Sequence, residues 1–450
     1  MQKESRLDSF LSNPFKALWT LAIPVMAGMA IHTVYTVVDM IFIGRLGGHQ
    51  IAAVAFNMPL LFLVLGLTMG LGAGVTAAIA RFIGAGRKRS ADNAAEHAMV
   101  MGAVISLFLT GIGLWKGPLM LSLLGAEGDI HRYAWQYLHV IAMGLPFMVF
   151  SSFFRSILSG EGDMKFPMMV AGFGTILNII LDPIFIFVLN YGVTGAAIAT
   201  IISQIIVFCI FLYMLFVKEH AYVTFDMKHF HWTSDIIITI LKVGIPASLS
   251  MIIMATGSAV FNRILTSFSS DAVAAYQVAG RVDMIIFLPI MGIGTALTTL
   301  VGMFYGAEKY QLVRQISKYG ISRAVGITMV LSLLIYIFAG QIMSIFTSEI
   351  GILTIGTNYL RLICLVYPAI AVGINVGRIM QGLGRGLPQL TITVIRVLGL
   401  SVPLSLLFTQ VYHKPLEWVW YSMMISSLVA VSVGVLWLRS EFKANVPVVS

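Results

Sequence analysis

Long apolar runs alternate with short polar segments along the whole chain. Each run has roughly the 20 residues that a helix needs to cross about 30 Å of hydrocarbon. None shows the regular alternation of polar and apolar residues that is typical of transmembrane barrels. The pattern therefore predicts an all-α membrane protein with twelve transmembrane helices, at residues 18–43, 51–80, 94–115, 132–157, 168–189, 193–217, 238–265, 273–302, 321–345, 357–380, 389–410 and 417–438.

Composition agrees with a membrane location. Of the 450 residues, 58% are hydrophobic and only 10% are charged, whereas soluble domains have about 25% charged residues. The formal net charge of +9 would otherwise suggest a nucleic-acid ligand. Basic residues, however, accumulate in the cytoplasmic loops of membrane proteins. We therefore predict contact with membrane lipids and no binding of nucleic acid.

The distribution of Lys and Arg residues predicts the orientation. If the N-terminus lies inside, twenty of the 28 basic residues fall on the inner side. The five on the outer side are Arg45, Lys116, Arg132, Arg263 and Lys414, and the three within spans are Arg281, Arg361 and Arg396. This bias predicts a multi-pass protein of the cell (inner) membrane with both termini cytoplasmic. The first apolar run serves as the insertion signal, since no cleavage site precedes it.

The second half of the chain repeats the first. A shift of 222 residues aligns Pro24 with Pro246, Pro146 with Pro368 and Gly160 with Gly382. Each repeat has an even number of helices, so equivalent helices cross the membrane in the same direction. We predict two parallel six-helix lobes related by a pseudo-twofold axis along the membrane normal. Residues 1–217 form the N-terminal lobe, 218–237 a cytoplasmic linker and 238–450 the C-terminal lobe; rocking of the lobes would give alternating access.

Nearly all of the 19 acidic residues lie in loops or at span ends, but Asp39, Asp182 and Asp283 do not. A charge at the centre of a helix costs roughly 2.5–3.5 kcal/mol on insertion scales. Asp39 and Asp182 lie in the outer halves of the first and fifth spans. Asn178 shares a helix face with Asp182, and Thr200 of the sixth span reaches the same depth. We predict that Asp39, Asn178, Asp182 and Thr200 form a cation-coupling site.

The chemistry of these four residues leaves the coupling ion open. Carboxylate, amide and hydroxyl oxygens are ligands suited to Na⁺, and a desolvated pair of carboxylates can instead share a proton. No cofactor other than H⁺ or Na⁺ is predicted. The alternative is that each Asp only bonds a neighbouring helix. Function is favoured because no basic residue of the first six spans offers an obvious partner. Pro183 is expected to free a carbonyl near Ile179 and to bend the fifth helix.

The second half repeats the helices of the first half but lacks the acidic residues of its predicted site. Asp39 aligns with Phe261 and Asp182 with Leu404. Ion coupling is therefore predicted in the N-terminal lobe alone.

Two further features receive structural interpretations. Asp283 lies two residues from Arg281, on a different helix face, and we expect it to be neutralised across helices. The glycine run at 66–86 resembles a nucleotide-binding loop only superficially, because no strand precedes it, and close helix packing explains it better. No nucleophile triad or phosphate loop is found, so the sequence predicts a protein that is not an enzyme.

Several segments together resemble the multidrug and toxic compound extrusion (MATE) transporters over nearly the whole chain. They are the IP pairs at 23–24 and 245–246, VDMIFIGRLG at 38–47, GLGAGVTAAIARFIGAG at 70–86, SGEGDMKFP at 159–167, LNIILDPIF at 177–185 and YGVTGAAIAT at 191–200. The resemblance implies efflux of cationic, amphipathic drugs in exchange for H⁺ or Na⁺.

Within that family the chain is similar to the prokaryotic branch with acidic residues in the first and fifth helices. The resemblance maps Asp39, Asn178, Asp182 and Thr200 onto the cation site of that branch. It also maps Tyr35 and Tyr137 onto the wall of the substrate cavity in the same lobe. Arg155 belongs to this cavity too and departs from the family pattern, in which an asparagine is frequent at that position.

Other classes of function remain as alternatives. A flippase for a lipid-linked precursor shares the two-lobe frame, but several cavity arginines would be needed to hold its pyrophosphate. A channel needs no ion coupling, and a membrane enzyme needs a catalytic set that is not found. We predict an antiporter that acts as a monomer.

Overall fold

The computed structural model describes residues 5–226 and 230–446; Lys3 and Lys228, used in the charge distribution, lie outside the described residues. The described part is almost entirely helical. Its helices are α1 (Leu7–Ser12), α2 (Pro14–Gly44), α3 (Gly48–Gly84), α4 (Lys88–Leu123), α5 (Gly128–Gly160), α6 (Lys165–Val188), α7 (Gly192–Val217), α8 (Ser234–Thr266), α9 (Ser270–Gly306), α10 (Tyr310–Phe346), α11 (Ile350–Ile363), α12 (Tyr367–Gly382), α13 (Leu387–Val411) and α14 (Glu417–Asn445).

The predicted number of spans agrees with these helices. Eleven of them are long and apolar enough to cross a membrane, and the pair α11 and α12 gives a twelfth span. The predicted fold class, an all-α membrane protein, is confirmed. The N-terminal six spans are α2 to α7, and the C-terminal six are α8 to α14.

One span differs from its prediction as an unbroken helix at 357–380. The chain bends by 58° between α11 and α12, and Pro368 occupies the first turn of α12. Proline lacks the N–H that would continue the helical hydrogen bonds from the preceding turn, so a new helix begins there. The equivalent residue of the first repeat, Pro146, lies inside α5, which continues through it. The same residue type at the same repeat position thus gives two local structures.

The two lobes meet along α3, α8 and α9, where glycines permit close approach. A methyl group added at Gly70 would collide with the backbone of Ser248 in α8, and one at Gly84 with the carbonyl of Met303 in α9. The predicted packing role of the glycine run is therefore confirmed. Burial is concentrated at this end of the helices, whereas no residue from 26 to 42 in α2 is buried. The lobes therefore close at one end and leave a cleft toward the other.

The linker between lobes docks on the closed end. The backbone N–H groups of Tyr222 and Val223 donate to the Glu161 carboxylate at 2.9 and 2.6 Å. Burial raises the pKa of Glu161 to about 7, although these two donors favour the charged form. Nearby, Arg6 and His220 both contact the Asp163 carboxylate at 2.9 Å. The N-terminal segment and the linker are thus both held by the loop between α5 and α6. Helix α8 begins at Ser234, within the segment predicted as linker.

Candidate functional site

Three polar side chains lie along one face of α2. His32, Tyr35 and Asp39 are spaced i, i+3 and i+7, which places them on one side of a helix with 3.6 residues per turn. The rings of His32 and Tyr35 are 5.8 Å apart. The face is directed toward the N-terminal lobe, since Tyr35 interacts with Thr200 of α7 and with Asp182 of α6. This stripe brings polar groups from three helices together inside an otherwise apolar lobe.

Helix α6 supplies two of the predicted site residues from one face. Asn178 Nδ2 donates to Asp182 Oδ1 at 3.0 Å, as the i, i+4 spacing permits. Both side chains are buried, with exposures of 4% and 0%. After Pro183 the helix widens into a π-helical turn at Ile184–Val188 instead of ending. The proline thus changes the helical geometry directly after Asp182, where the sequence predicted a bend.

The carboxyl groups of Asp39 and Asp182 lie in hydrogen-bonding contact across α2 and α6. The second oxygen of Asp182, Oδ2, is buried and has no hydrogen-bond donor in the described part of the chain. Two carboxylates at this distance repel each other when both are ionised, so a proton or a cation between them is strongly favoured. Their arrangement is incomplete without such an ion.

The remaining predicted residues lie at different distances from this pair. The hydroxyl of Thr200 donates to the carbonyl of Ala196 at 3.0 Å and is also hydrogen-bonded to the hydroxyl of Tyr35. Thr200 therefore joins the site through Tyr35. Tyr137 of α5 is buried within electrostatic range of both carboxylates. Arg155 lies apart from them, and the titratable group that it influences is His32.

The oxygen ligands fit a small hard cation in this place. Two carboxylates, an amide oxygen and nearby hydroxyls are the groups that bind Na⁺, and Oδ2 of Asp182 is buried without a donor among the described residues. Within the described residues, no cluster of three or more His, Cys, Asp or Glu side chains forms a conventional metal site. The coupling ion would be a transported substrate here, and not a resident cofactor.

Another carboxylate within a span, that of Asp283, lies partly buried in the C-terminal lobe. Tyr359 donates its hydroxyl proton to Asp283 Oδ2 at 2.8 Å, and Tyr367 donates to Asp283 Oδ1. Among the described residues no ion pair joins Asp283 to Arg281, in line with their expected separation on the helix. Neutralisation across helices thus comes from two phenols. The repeat contained a signal for this contact, because Tyr359 aligns with Tyr137 at the 222-residue shift.

Aromatic rings fix the position of the Tyr359 hydroxyl. Trp420 of α14 packs edge-on against Tyr359 at 4.8 Å and stacks on Tyr276 of α9 at 6.0 Å. Such edge-to-face and stacked pairs are the preferred geometries of aromatic side chains. The Asp283 carboxylate in the C-terminal lobe is therefore hydrogen-bonded by a tyrosine whose position is set by aromatic packing.

Twelve spans in two repeated halves, with a cleft between them, are the architecture of a membrane transporter. The sequence profile of the MatE family matches residues 24–184 and again residues 246–407, one match in each half. The chain belongs to the MatE family. This family consists of transporters, which agrees with the transport function that the sequence predicted.

Known proteins of this family resemble the chain over most of its length. It is 27% identical to the probable multidrug resistance protein NorM of Thermotoga maritima over 412 residues, 91% of this chain and 88% of the relative. A solved outward-facing multidrug resistance MATE transporter of the MOP superfamily has a TM-score of 0.91 and 33% identity, with 96% of both chains covered.

A second solved structure comes from Pyrococcus furiosus and has a TM-score of 0.92 at 32% identity. It covers 96% of this chain and 97% of its own. It is described as a MOP superfamily transporter in which a reversed polarity of the binding pocket suggests a different function.

Proposed function

We propose that this protein is a multidrug efflux antiporter that exports cationic, amphipathic small molecules in exchange for H⁺ or Na⁺. The observation that supports ion coupling is the Asp39–Asp182 contact with its unpartnered Oδ2. The names of the relatives support drugs as the transported class. The protein acts as a monomer, because each chain contains both lobes and the cleft between them.

Coupling follows from the position of the carboxylate pair between α2 and α6. An ion at the pair removes the repulsion between these helices and favours one packing of them. Because α2 also forms the polar face with His32 and Tyr35, ion occupancy changes the substrate cavity. If the ion lowers the affinity for a substrate that favours the other packing, that substrate lowers the affinity for the ion by the same factor. Alternating access results when ion and substrate each favour an opposite opening of the two lobes.

We further propose that both termini are cytoplasmic and that the membrane is the cell (inner) membrane. The closed end that holds the linker is then cytoplasmic, and the cleft opens outward. In a background with Cys209→Ser and Cys364→Ala, a cysteine at Ser90 should resist an impermeant thiol reagent applied to intact cells. A cysteine at Lys414, an exposed residue near the other end, should react. The opposite labelling pattern would invert the topology.

The decisive assay is efflux of a fluorescent cationic dye from vesicles that contain the purified protein. A pH gradient and a Na⁺ gradient are imposed separately, at zero membrane potential. We expect one of them to drive dye movement against its concentration gradient. If neither does, antiport is wrong. Flipping of a labelled lipid-linked precursor in the same vesicles would then favour the flippase.

A further inference from the structure

Arg155 carries a positive charge near the inner end of a span, and no ion pair in the described structure balances it. It lies in α5, five residues before the helix ends at Gly160, and its side chain is only partly exposed. None of the ion pairs or hydrogen bonds among the described residues includes its guanidinium. Charged groups within a membrane are normally paired, or they mark a pathway for substrate or ion. The guanidinium therefore lacks a partner that a bound molecule can supply.

No described acidic side chain forms an ion pair with this guanidinium. The titratable side chain near Arg155 is His32 of α2, which lies on the same helix face as Tyr35 and Asp39. Seven residues separate His32 from Asp39, about 10 Å along the helix axis. Along this polar face, Asp39 thus lies toward one end and His32, the neighbour of Arg155, lies toward the other.

Another partly exposed arginine shows what a packing role looks like in this fold. Arg378 of α12 donates to Gln381 Oε1 at 3.3 Å and contacts the sulfur of Met291 at 3.6 Å. Its alkyl chain also packs close to Gly294. Arg155 has no comparable set of contacts, so a packing role does not account for its guanidinium.

We propose that this cavity takes substrates that carry an anionic group, a carboxylate or phosphate, as well as a cationic group, and that Arg155 binds the anionic group. A guanidinium presents paired N–H donors that match both oxygens of such a group. The cationic group then points toward Asp39 and Asp182, where it competes with the coupling ion. This inference rests on the proposed function, because it assumes that the cavity is a substrate site.

The test uses two dyes that differ in one group, a rhodamine with a free benzoic acid and its methyl ester. Both carry the cationic xanthene, but only the acid has the carboxylate. Their binding to purified full-length protein in a neutral detergent is measured by fluorescence polarisation. We expect the wild type to bind the acid at least about tenfold more tightly than the ester, since charge-assisted bidentate bonds are the strong ones.

Variants assign that preference to one side chain. Arg155→Gln should lose about tenfold in affinity for the acid and less than about twofold for the ester. Arg155→Lys keeps the charge without the paired donors, so its affinity for the acid should lie between those of the wild type and Arg155→Gln. If Arg155→Gln does not fold, the affinity of Arg155→Lys tests the role of the guanidinium. The matched control is Arg281→Gln, which removes an exposed arginine of α9 in the other lobe and should keep the preference.

Several outcomes would overturn the inference. One is an equal affinity of the wild type for the acid and the ester. Another is a loss of the acid preference in Arg281→Gln as large as that in Arg155→Gln, because the preference would then come from the overall positive charge of the protein and not from Arg155. A preference that vanishes when phosphatidylglycerol is added to the micelles would show that Arg155 holds a lipid phosphate. Efflux of the ester under an ion gradient tests the proposed antiport independently, so either idea can fail while the other stands.

Discussion

Each lobe buries a carboxylate near the same tyrosine of the repeat, but the two lobes satisfy their carboxylates in different ways. In the N-terminal lobe Asp39 and Asp182 face each other, and one oxygen of Asp182 has no donor among the described residues. In the C-terminal lobe both oxygens of Asp283 accept hydrogen bonds from tyrosine hydroxyls. The first site needs an ion to be complete, whereas the second is complete without one.

This difference suggests a criterion for telling a functional carboxylate from a structural one, namely whether its oxygens have hydrogen-bond donors within the protein. Insertion of either residue into the membrane is costly. In the C-terminal lobe, hydrogen bonds from two tyrosine hydroxyls offset that cost and give each carboxylate oxygen a donor. In the N-terminal lobe the repulsion between two carboxylates is retained, and a bound proton or Na⁺ relieves it. In the mechanism that we propose, ion binding there changes the energy of helix packing and so couples the ion to transport.

The largest expected effect distinguishes the two sites by transport. Asp39→Asn should abolish gradient-driven dye efflux from vesicles, since the pair loses the charge that binds the ion. Asp283→Asn should retain efflux within about threefold per folded molecule, because it leaves the N-terminal site intact. Both variants are compared at equal amounts of monodisperse protein. Normal efflux by Asp39→Asn, or its loss in Asp283→Asn, would reverse the roles given to the two lobes.

Structural rearrangement should be confined to the N-terminal lobe. Structures determined at high and low pH, or with and without Na⁺, should differ in the packing of α2 or α6, because these helices carry the repelling carboxylates. Their repeat equivalents α8 and α13 have Phe261 and Leu404 at the corresponding positions and should superpose. Equal movement in α8 and α13 would contradict a one-lobe mechanism.

For thermal stability we expect the larger effect at Asp283, in the C-terminal lobe, and the smaller effect at Asp39. Asp283→Leu leaves the buried hydroxyls of Tyr359 and Tyr367 without an acceptor and should lower the free energy of unfolding by about 2 kcal/mol. Asp39→Leu removes a like-charge contact and should leave the melting temperature unchanged or raise it. The two melts are measured in the same detergent without Na⁺. A similar loss in both variants would mean that both carboxylates are structural.

The smallest effect concerns the repeat-related tyrosines. Tyr359→Phe deletes one of two donors to Asp283 and should cost about 1 kcal/mol of stability. Tyr137→Phe removes a hydroxyl for which no hydrogen bond to a carboxylate is seen, so its stability loss should be smaller. Calorimetric melts of the two variants compare them directly. A larger loss for Tyr137→Phe would indicate that the N-terminal carboxylates also depend on a phenol.

Much of the fold was predictable from the sequence, because hydrocarbon acts on each span independently of its neighbours. Twelve spans, the 222-residue repeat and family membership all follow from local hydropathy and from motifs. The positions of Asn178 and Asp182 on one face also follow, since i, i+4 spacing is a property of the helix itself. The domain boundaries and the role of the cation site stay predictions.

The tertiary structure decided which side chains meet between helices. Depth along the membrane placed Asp39 near Asp182, but only the rotation and packing of α2 against α6 put their carboxyl groups in contact. Packing likewise directed Tyr359 and Tyr367 to Asp283, which the sequence had paired with no particular partner.

The bend at Pro368 shows the same limit, since Pro146 at the equivalent repeat position leaves α5 continuous. A chain encodes where each helix begins and how apolar it is through short-range interactions. Contacts between helices depend on the simultaneous fit of many side chains, and that fit exists only in the folded molecule.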